Sequence, residues 1–262
     1  MIDAPRRKIS LLCPTRGRPN LVLHHVDSVL GTVGDPTRME LLFYIDRDDP
    51  KLAEYEGVFD KLKNLTAGTL SIVAIVGDRT GTPKALNFMA ARSTGDCLMI
   101  SNDDLVFVTP HWDMAIDRAA SAYQDGIFNI FFDDGYFGEK LSCFPVIGRA
   151  WYLALGYVAP VIFEHCVVDW WIHHLGKFMG RNVFLPDVKI EHRHFDDDAD
   201  GKRFNWQEEG FAKRRMERDN AYFRIFERYL RLDADLLRDA VAGKPPRYGL
   251  PDEAVKTLLE NL

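Results

Sequence analysis

Cysteine is scarce in this chain. Cys13, Cys97, Cys143 and Cys166 lie far apart with no CxxC spacing, so there is no paired-cysteine motif from which to read a disulfide framework. Most sit in apolar runs, where a reduced thiol behaves as a small hydrophobe, and a reducing, cytoplasmic setting is expected. Long apolar runs are also missing. No stretch approaches the roughly 18 uninterrupted residues of a membrane span, and the opening MIDAPRRKIS has no apolar core of a signal peptide. Nor is there an excess of positive charge: 33 Lys and Arg stand against 39 Asp and Glu, a net of -6. No global field therefore draws the chain to nucleic acid or an anionic membrane. Repeats, low-complexity tracts and linkers rich in Gly, Ser or Pro are absent as well. The loop GDRTGTPK at 77 to 84 lacks the GxxxxGK[ST] spacing of a P-loop, no GxGxxG follows the first apolar run, and there is no HExxH. The commonest ATPase, dinucleotide and zinc-protease readings fall away with them.

What is present is a 262-residue chain, 47% hydrophobic and 12% aromatic, enough to bury a large core in one domain or one domain with an appendage. Near-continuous apolar runs at Lys8 to Cys13, Met39 to Ile45, Leu70 to Val76 and Cys97 to Ser101 predict strands covered on both faces. Helix-like segments separate them: Asn20 to Leu30, with Leu21, Val22, Val26, Val29 and Leu30 at helical spacing, then Lys51 to Leu65 and Pro83 to Arg92. Thr82-Pro83 and Thr109-Pro110 each read as an N-cap followed by proline at the first helical position. This alternation implies right-handed βαβ units and a mostly parallel sheet. Further on, Ile127 to Phe132 and Ser142 to Gly148 predict strands, Cys166 to Met179 a helix, Val183 to Leu185 and Val188 to Ile190 short strands, and Trp206 to Leu232 one long helix. We expect a domain over residues 1 to 199 and a helical extension over 200 to 262 packed on it.

Polar loops follow the first four strands: PTRGRPN at 14 to 20, DRDDP at 46 to 50, GDRTGTPK at 77 to 84 and NDD at 102 to 104. All should open at one edge, because ligands of open α/β sheets bind beyond the carboxyl ends of the strands. The adjacent acids Asp103 and Asp104 belong at such an edge, since burying an unpaired carboxylate costs several kcal/mol or forces protonation. They need water or a cation beside them.

The ordered series ISLLCPTRGRP, FYIDRDD and KALNFMAARSTGDCLMISNDD resembles the family 2-like glycosyltransferases of the GT-A fold, and looks especially like the short members encoded by phages. The likeness runs from about residue 8 to 195. It implies a Rossmann-like, mostly parallel sheet flanked by helices, with a helical C-terminal extension. It also implies a hexosyltransferase-type enzyme that takes a nucleoside-diphosphate sugar, a UDP-sugar first, together with Mn²⁺ or Mg²⁺. A divalent ion held by one or two carboxylates stabilises the charge that gathers on a diphosphate leaving group. The acceptor would be a glycan, a small molecule or a modified nucleic acid.

The resemblance assigns candidate roles residue by residue. As a DxD motif the acidic turn reads either as Asn102-Asp103-Asp104 or as Ser101-Asn102-Asp103 with Asp104 beyond, and both lack the first acid. Asp104 is favoured for the metal, with Asp103 beside it. His192, in IEHRHF at 190 to 195, is a further candidate ligand and shares a strand face with His194. Asp46 would meet base or ribose, Pro14, Thr15 and Arg16 would border the base, and Arg79 and Lys84 would meet phosphate or base, Arg suiting bidentate phosphate contact better. Asn87 and Asn102 complete the nucleotide set. Asp169 matches the family's general base toward the acceptor, with Glu164 as its substitute, and inversion of the anomeric centre is implied by the likeness alone.

Bland readings stand beside these. Asp103 and Asp104 could merely start a loop, Arg16, Arg18 and Arg79 could be solvated charges, and Asp169 could simply favour a helix N-terminus. His173 and His174 read as core or acceptor-cleft residues. FDDDADG at 195 to 201 has the DxDxDG spacing of a calcium loop, yet Gln207 takes the place of the bidentate Glu, so a solvated acidic loop fits better. KRRMER at 213 to 218 reads as a solvated helix face. Two alternatives to the enzyme remain: a non-catalytic glycan- or nucleotide-binding protein on this fold, and a sugar nucleotidyltransferase, for which PTRGRPN is a poor match.

Overall fold

A computed structural model describes residues 6–66, 68–193 and 211–245. Four parallel strands form one half of the sheet: β1 (Ile9–Thr15), β2 (Met39–Asp46), β3 (Ser71–Gly77) and β4 (Cys97–Ile100). Their side chains divide by strand period. Ile9, Leu11, Cys13, Leu41, Phe43 and Met99 enter one core, while Leu12, Leu42, Tyr44, Leu98 and Ile100 enter the other. Every residue of β2 is buried, as a central strand covered on both faces requires. The first core is closed by α1 (Pro19–Thr32), α2 (Leu52–Thr66) and α4 (Trp112–Ala120). The second is closed by α3 (Thr82–Arg92), α5 (Arg149–Leu155), α6 (Val168–Met179) and α8 (Leu230–Val241).

The other half of the sheet is mixed. It contains β5 (Leu105–Phe107), β6 (Asn129–Asp133), β7 (Val146–Gly148) and β8 (Asn182–His192), and the full order is β3-β2-β1-β4-β7-β6-β8-β5. β7 runs antiparallel to β4 and β6, β6 parallel to β8, and β5 antiparallel to β8. The result is a GT-A-type α/β architecture, as the sequence implied.

Several local expectations shift. The helix expected after Thr109-Pro110 starts at Trp112 instead, capped by His111 in a left-handed conformation at φ 59°. Thr82 lies inside α3 rather than capping it, and Gly81 takes the cap. The expected strand at 142 to 148 pairs only over Val146–Gly148. The two short strands at 183 to 190 are one, β8, interrupted where its pairing with β6 jumps between Phe132↔Leu185 and Asp133↔Lys189; Pro186, which cannot donate to a ladder, falls in that gap. The long helix breaks as well, into α7 (Phe211–Phe226), a 3₁₀ turn over Glu227–Tyr229, and α8. The calcium-like spacing at Asp196, Asp198, Asp200 and Gly201, His194, and the start of the expected helix at Trp206 lie outside the described residues. Among the described residues all four cysteines are free, and no helix is long and apolar enough to cross a membrane.

Candidate active site

The loop after β1 is built around a glycine. Gly17 has φ 71°, a region glycine enters without steric cost, and its N–H donates to Asp49 Oδ2 at 2.7 Å. The two arginines on either side serve different acids. Arg16 Nη1 donates to Asp46 Oδ2 at 2.9 Å and to Asp48 Oδ1 at 2.6 Å. Arg18 lies 2.5 Å from Asp103 Oδ1 and donates to Asp104 Oδ2 at 3.1 Å. Tyr55 of α2 braces this loop, its hydroxyl accepting from Arg18 N–H at 3.1 Å and lying 2.9 Å from Thr15 Oγ1. Thr15 Oγ1 in turn donates to Asp103 Oδ2 at 2.6 Å.

The two acids have different electrostatic fates. Burial pushes the Asp103 carboxyl up to about 6, against the pull of the Arg18 guanidinium. Burial also acts on Asp104, yet contact with His192 and Arg18 outweighs it and holds that carboxyl below its ordinary range. His192 Nε2 stands 3.2 Å from Asp104 Oδ1. Pairing of β5 with β8 makes this contact, because Leu105, one residue after Asp104, lies opposite His192, and Arg193 N–H donates to the Asp104 carbonyl at 2.9 Å. Beneath the turn, buried His25 of α1 has Nδ1 2.7 Å from the Leu105 carbonyl and Nε2 3.2 Å from Ser101 Oγ. Burial lowers the His25 pKa to about 4, so a neutral imidazole fastens the acidic turn to the helix.

Asp169 sits in the first turn of α6. Its surface is only partly covered, yet desolvation by the surrounding protein pushes its carboxyl up to about 6, overriding the downward pull of its own and the Trp170 backbone N–H groups. His192 lowers that value further and Asp134 raises it, which puts Asp169 within electrostatic reach of both. Asp134, after β6, is buried and accepts from the N–H groups of Tyr136, Phe137 and Gly138 at 2.8 to 3.1 Å. Those contacts pin a loop whose Tyr136 and Phe137 rings face outward, 70% and 47% exposed. A recess of about 650 Å³ opens between Asp133–Tyr136 and Lys189–Arg193, with His192 in its wall.

The structure therefore links Thr15, Asp103, Asp104 and His192 in one string of pairwise contacts, with Asp169 within electrostatic reach of His192. Asp46 lies at the adjoining strand end, where Oδ1 accepts from Thr80 N–H at 3.3 Å. Arg79 is half exposed and 3.7 Å from Asp48, Lys84 is exposed on α3, and Asn102 is partly covered on the turn. Pro14 lies within β1, past the point where β4 stops pairing at Leu12, so on that side its missing N–H costs no ladder bond. The Asn87 amide donates to the Ala159 carbonyl at 2.7 Å and accepts from Val158 and Ala159 N–H at 2.8 and 3.0 Å, so it ties α3 to the loop at 158 and 159. Glu164, the substitute base, has its carboxylate 3.6 Å from Arg215 and 3.2 Å from Arg218. His173 Nδ1 accepts from Ser142 N–H at 3.1 Å, and His174 Nδ1 lies 2.8 Å from the Trp170 carbonyl. Sequence reasoning missed His25, Tyr55 and Asp134 and undervalued Arg18; only His25, on the buried face of α1, left a trace, as one polar position within an apolar stripe.

No family model matches the sequence, and no curated protein does. Solved structures do match. The mannosyltransferase PcManGT from Pyrobaculum calidifontis, in complex with GDP-Man and Mn²⁺, aligns with a TM-score of 0.62 at 12% identity, over 98% of this chain and 80% of its own. TarS from S. aureus aligns with a TM-score of 0.55 at 11% identity, over 70% of this chain and 36% of its own. GalNAc-T7 with UDP, GalNAc and Mn²⁺ aligns with a TM-score of 0.55 at 14% identity, over 71% of this chain and 43% of its own. This chain thus spans less than half the length of the latter two. At such identities the likeness establishes the GT-A fold and nothing finer.

Two of those structures hold Mn²⁺, so we tested whether the residues here fit a divalent ion. Among the described residues, Asp103 Oδ1 and Asp104 Oδ1 are buried and make no hydrogen bond of regular geometry, and each has an ion-pair contact, with Arg18 and His192 respectively. Among the described residues no three of His, Cys, Asp and Glu surround a common point. A hard cation that keeps waters and takes substrate phosphates needs only one or two protein ligands, a carboxylate foremost. Asp104 and His192 fit on those terms, with the Arg18 guanidinium as the resident positive charge. Replacing Arg18 by Met would leave two covered acids without it, and we expect a loss of about 2–4 kcal/mol in urea unfolding at pH 8. Because Asp103 is raised above its unfolded value, its folded form holds more protons, so stability from this group falls as pH rises from about 4 through 6. The R18M deficit should therefore shrink at pH 5, where Asp103 is neutral; an equal deficit at both pH values would contradict the pairing.

Proposed function

We propose that this protein is an inverting, divalent-metal-dependent glycosyltransferase that moves a sugar from a nucleoside diphosphate to an acceptor hydroxyl. The observation that carries this reading is the convergence of Asp104 and His192, 3.2 Å apart, with a half-covered Asp169 whose carboxyl is raised to about 6, at the carboxyl edge of a GT-A sheet. The GDP-Man and UDP held by similar structures support a nucleotide sugar in general terms. The loops after β1, β2 and β3 supply Thr15, Arg16, Asp46 and Arg79 to the nucleotide side. When bound, a divalent ion would supply electrostatic stabilisation of the departing diphosphate. Asp104 and His192 would hold it, while Thr15 and Arg18 keep Asp103 oriented beside them.

Asp169 is the proton acceptor in this reading. Its carboxylate takes the proton of the attacking hydroxyl, the new glycosidic bond forms as the bond to the diphosphate breaks, and a single displacement of this kind inverts the anomeric carbon. A base with a pKa of about 6 is mostly ionised at neutral pH and still basic enough to help. The recess beside His192, with the pinned Tyr136 ring at its mouth, is the acceptor side.

Four outcomes test this. Calorimetric titration with UDP- and GDP-sugars, with and without Mn²⁺, should show metal-dependent binding followed by transfer or slow hydrolysis; binding without any turnover would favour a non-catalytic binding protein. Asp104→Ala should abolish the metal-dependent part. Asp169→Asn should keep donor affinity while turnover drops by about 10²- to 10⁴-fold. In the wild type kcat/KM should rise with pH and level off above about 6, because only the ionised Asp169 accepts a proton, and a flat profile between pH 5 and 7 would count against Asp169 as the base.

A further inference from the structure

The chain enters α6 through a backbone conformation that valine rarely adopts. Val167, the residue before the helix, has φ 61° and ψ 7°, and among the described non-glycine residues only His111 shares a positive φ. Histidine tolerates this region better than most residues, but for a β-branched residue it is strained, and such strain persists only where the surroundings over-determine it. Two residues later comes Asp169.

What holds the turn is a carboxylate from α7. Asp219 is fully buried. It accepts from three successive backbone N–H groups: Glu164 at 3.0 and 3.1 Å, His165 at 2.9 Å and Cys166 at 2.9 Å. Consecutive N–H groups turned to one side form a concavity for an anion, and here the chain fills it with its own. Charge-assisted contacts of this kind are among the stronger hydrogen bonds. The same helix grips the segment again, through Arg215 and Arg218 on the Glu164 carboxylate, and Arg218 also approaches Asp219 at 3.5 Å. The polar run at 213 to 218 is therefore not merely a solvated face. From the opposite side, Thr82 N–H donates to the Glu164 carbonyl at 2.8 Å and Thr82 Oγ1 lies 2.8 Å from His165 Nδ1. A Cβ on Gly81 would meet that carbonyl at 2.6 Å, so only glycine allows the approach.

We infer that Asp219 is a positioning residue for the proposed base: its grip on residues 164 to 166 keeps Val167 left-handed and thereby aims the first turn of α6, with Asp169, at the crevice. The inference deepens the proposed function and rests on it for the role of Asp169. The helical extension is then a working part of the active site, although it touches no reacting atom.

The test uses the full chain, with UDP-N-acetylglucosamine and GDP-mannose plus Mn²⁺ as donors. Asp219→Ala should lower kcat for donor cleavage by about 10- to 100-fold, the scale of a small misplacement of a reacting group, while UDP or GDP affinity stays unchanged. Asp219→Asn, which keeps one acceptor oxygen, should show a smaller loss and serves if the alanine variant does not fold. Val167→Gly added to Asp219→Ala should recover part of the lost turnover, because glycine adopts the left-handed turn unaided. Amide exchange at 164 to 166 and alkylation of Cys166 by iodoacetamide should nevertheless stay fast in that double variant. Normal turnover in both Asp219 variants, or a double variant no better than the single, would overturn the inference. If the wild type cleaves neither donor the enzymatic reading fails instead, and unchanged exchange at 164 to 166 in Asp219→Ala would then overturn the clamp by itself.

Discussion

One guanidinium holds the centre of this protein together. Arg18 lies between Asp103 and Asp104, at 2.5 and 3.1 Å, and without a cation there two adjacent, covered carboxylates would repel each other and face the full cost of desolvation. The other contacts around the turn follow from that placement. Gly17 lets the loop reverse, Tyr55 and Thr15 fix its rim, and His25 anchors the turn from below. With Arg18 holding the positive charge, Asp103 and Asp104 can stand side by side at a strand end without both being protonated, and their unequal surroundings divide them into one acid that binds protons readily and one that resists them.

The division between the halves of the sheet explains why the site lies where it does. On the parallel side the strand ends and their polar loops form one edge, the place where open α/β sheets bind ligands. On the mixed side, β8 returns to pair with β5 and brings His192 to Asp104. The crevice is thus a seam between two kinds of strand pairing. Exposed aromatic rings at 136 and 137, pinned through Asp134, lie on the mixed side, so the two edges of the seam differ in chemistry: charged and loop-built on the parallel side, aromatic and pocketed on the mixed side.

Strain and its compensation lie at the entry to α6. A left-handed valine is unfavourable on its own, and the buried Asp219 carboxylate offsets that cost by satisfying three N–H groups that would otherwise lack partners. The same joint contacts the start of α3 through Thr82. The turn that leads into α6 is therefore held by a helix about fifty residues further along the chain.

Much of this was legible beforehand. The apolar runs of β1 to β4 announce themselves because strands buried on both faces must be apolar throughout, and the polar loops at their ends mark the edge where ligands bind. Asp103 and Asp104 could be named because covered carboxylates need water or a cation beside them, whereas Asp46 and Asp169 were named by the family resemblance. The loop contacts of Asn87 were not legible, since a family position says nothing about which hydrogen bonds the surrounding fold claims. Partnerships were beyond the sequence: Arg18 with Asp103, Asp104 with His192, and Asp219 with residues 164 to 166 join segments 53 or more positions apart. Local pattern determined which segments are strands, helices and polar ends, because periodicity and burial act over a few residues. Only the tertiary structure decided which charge neutralises which and which strained turn is held, because those choices depend on distances set by strand pairing and helix packing.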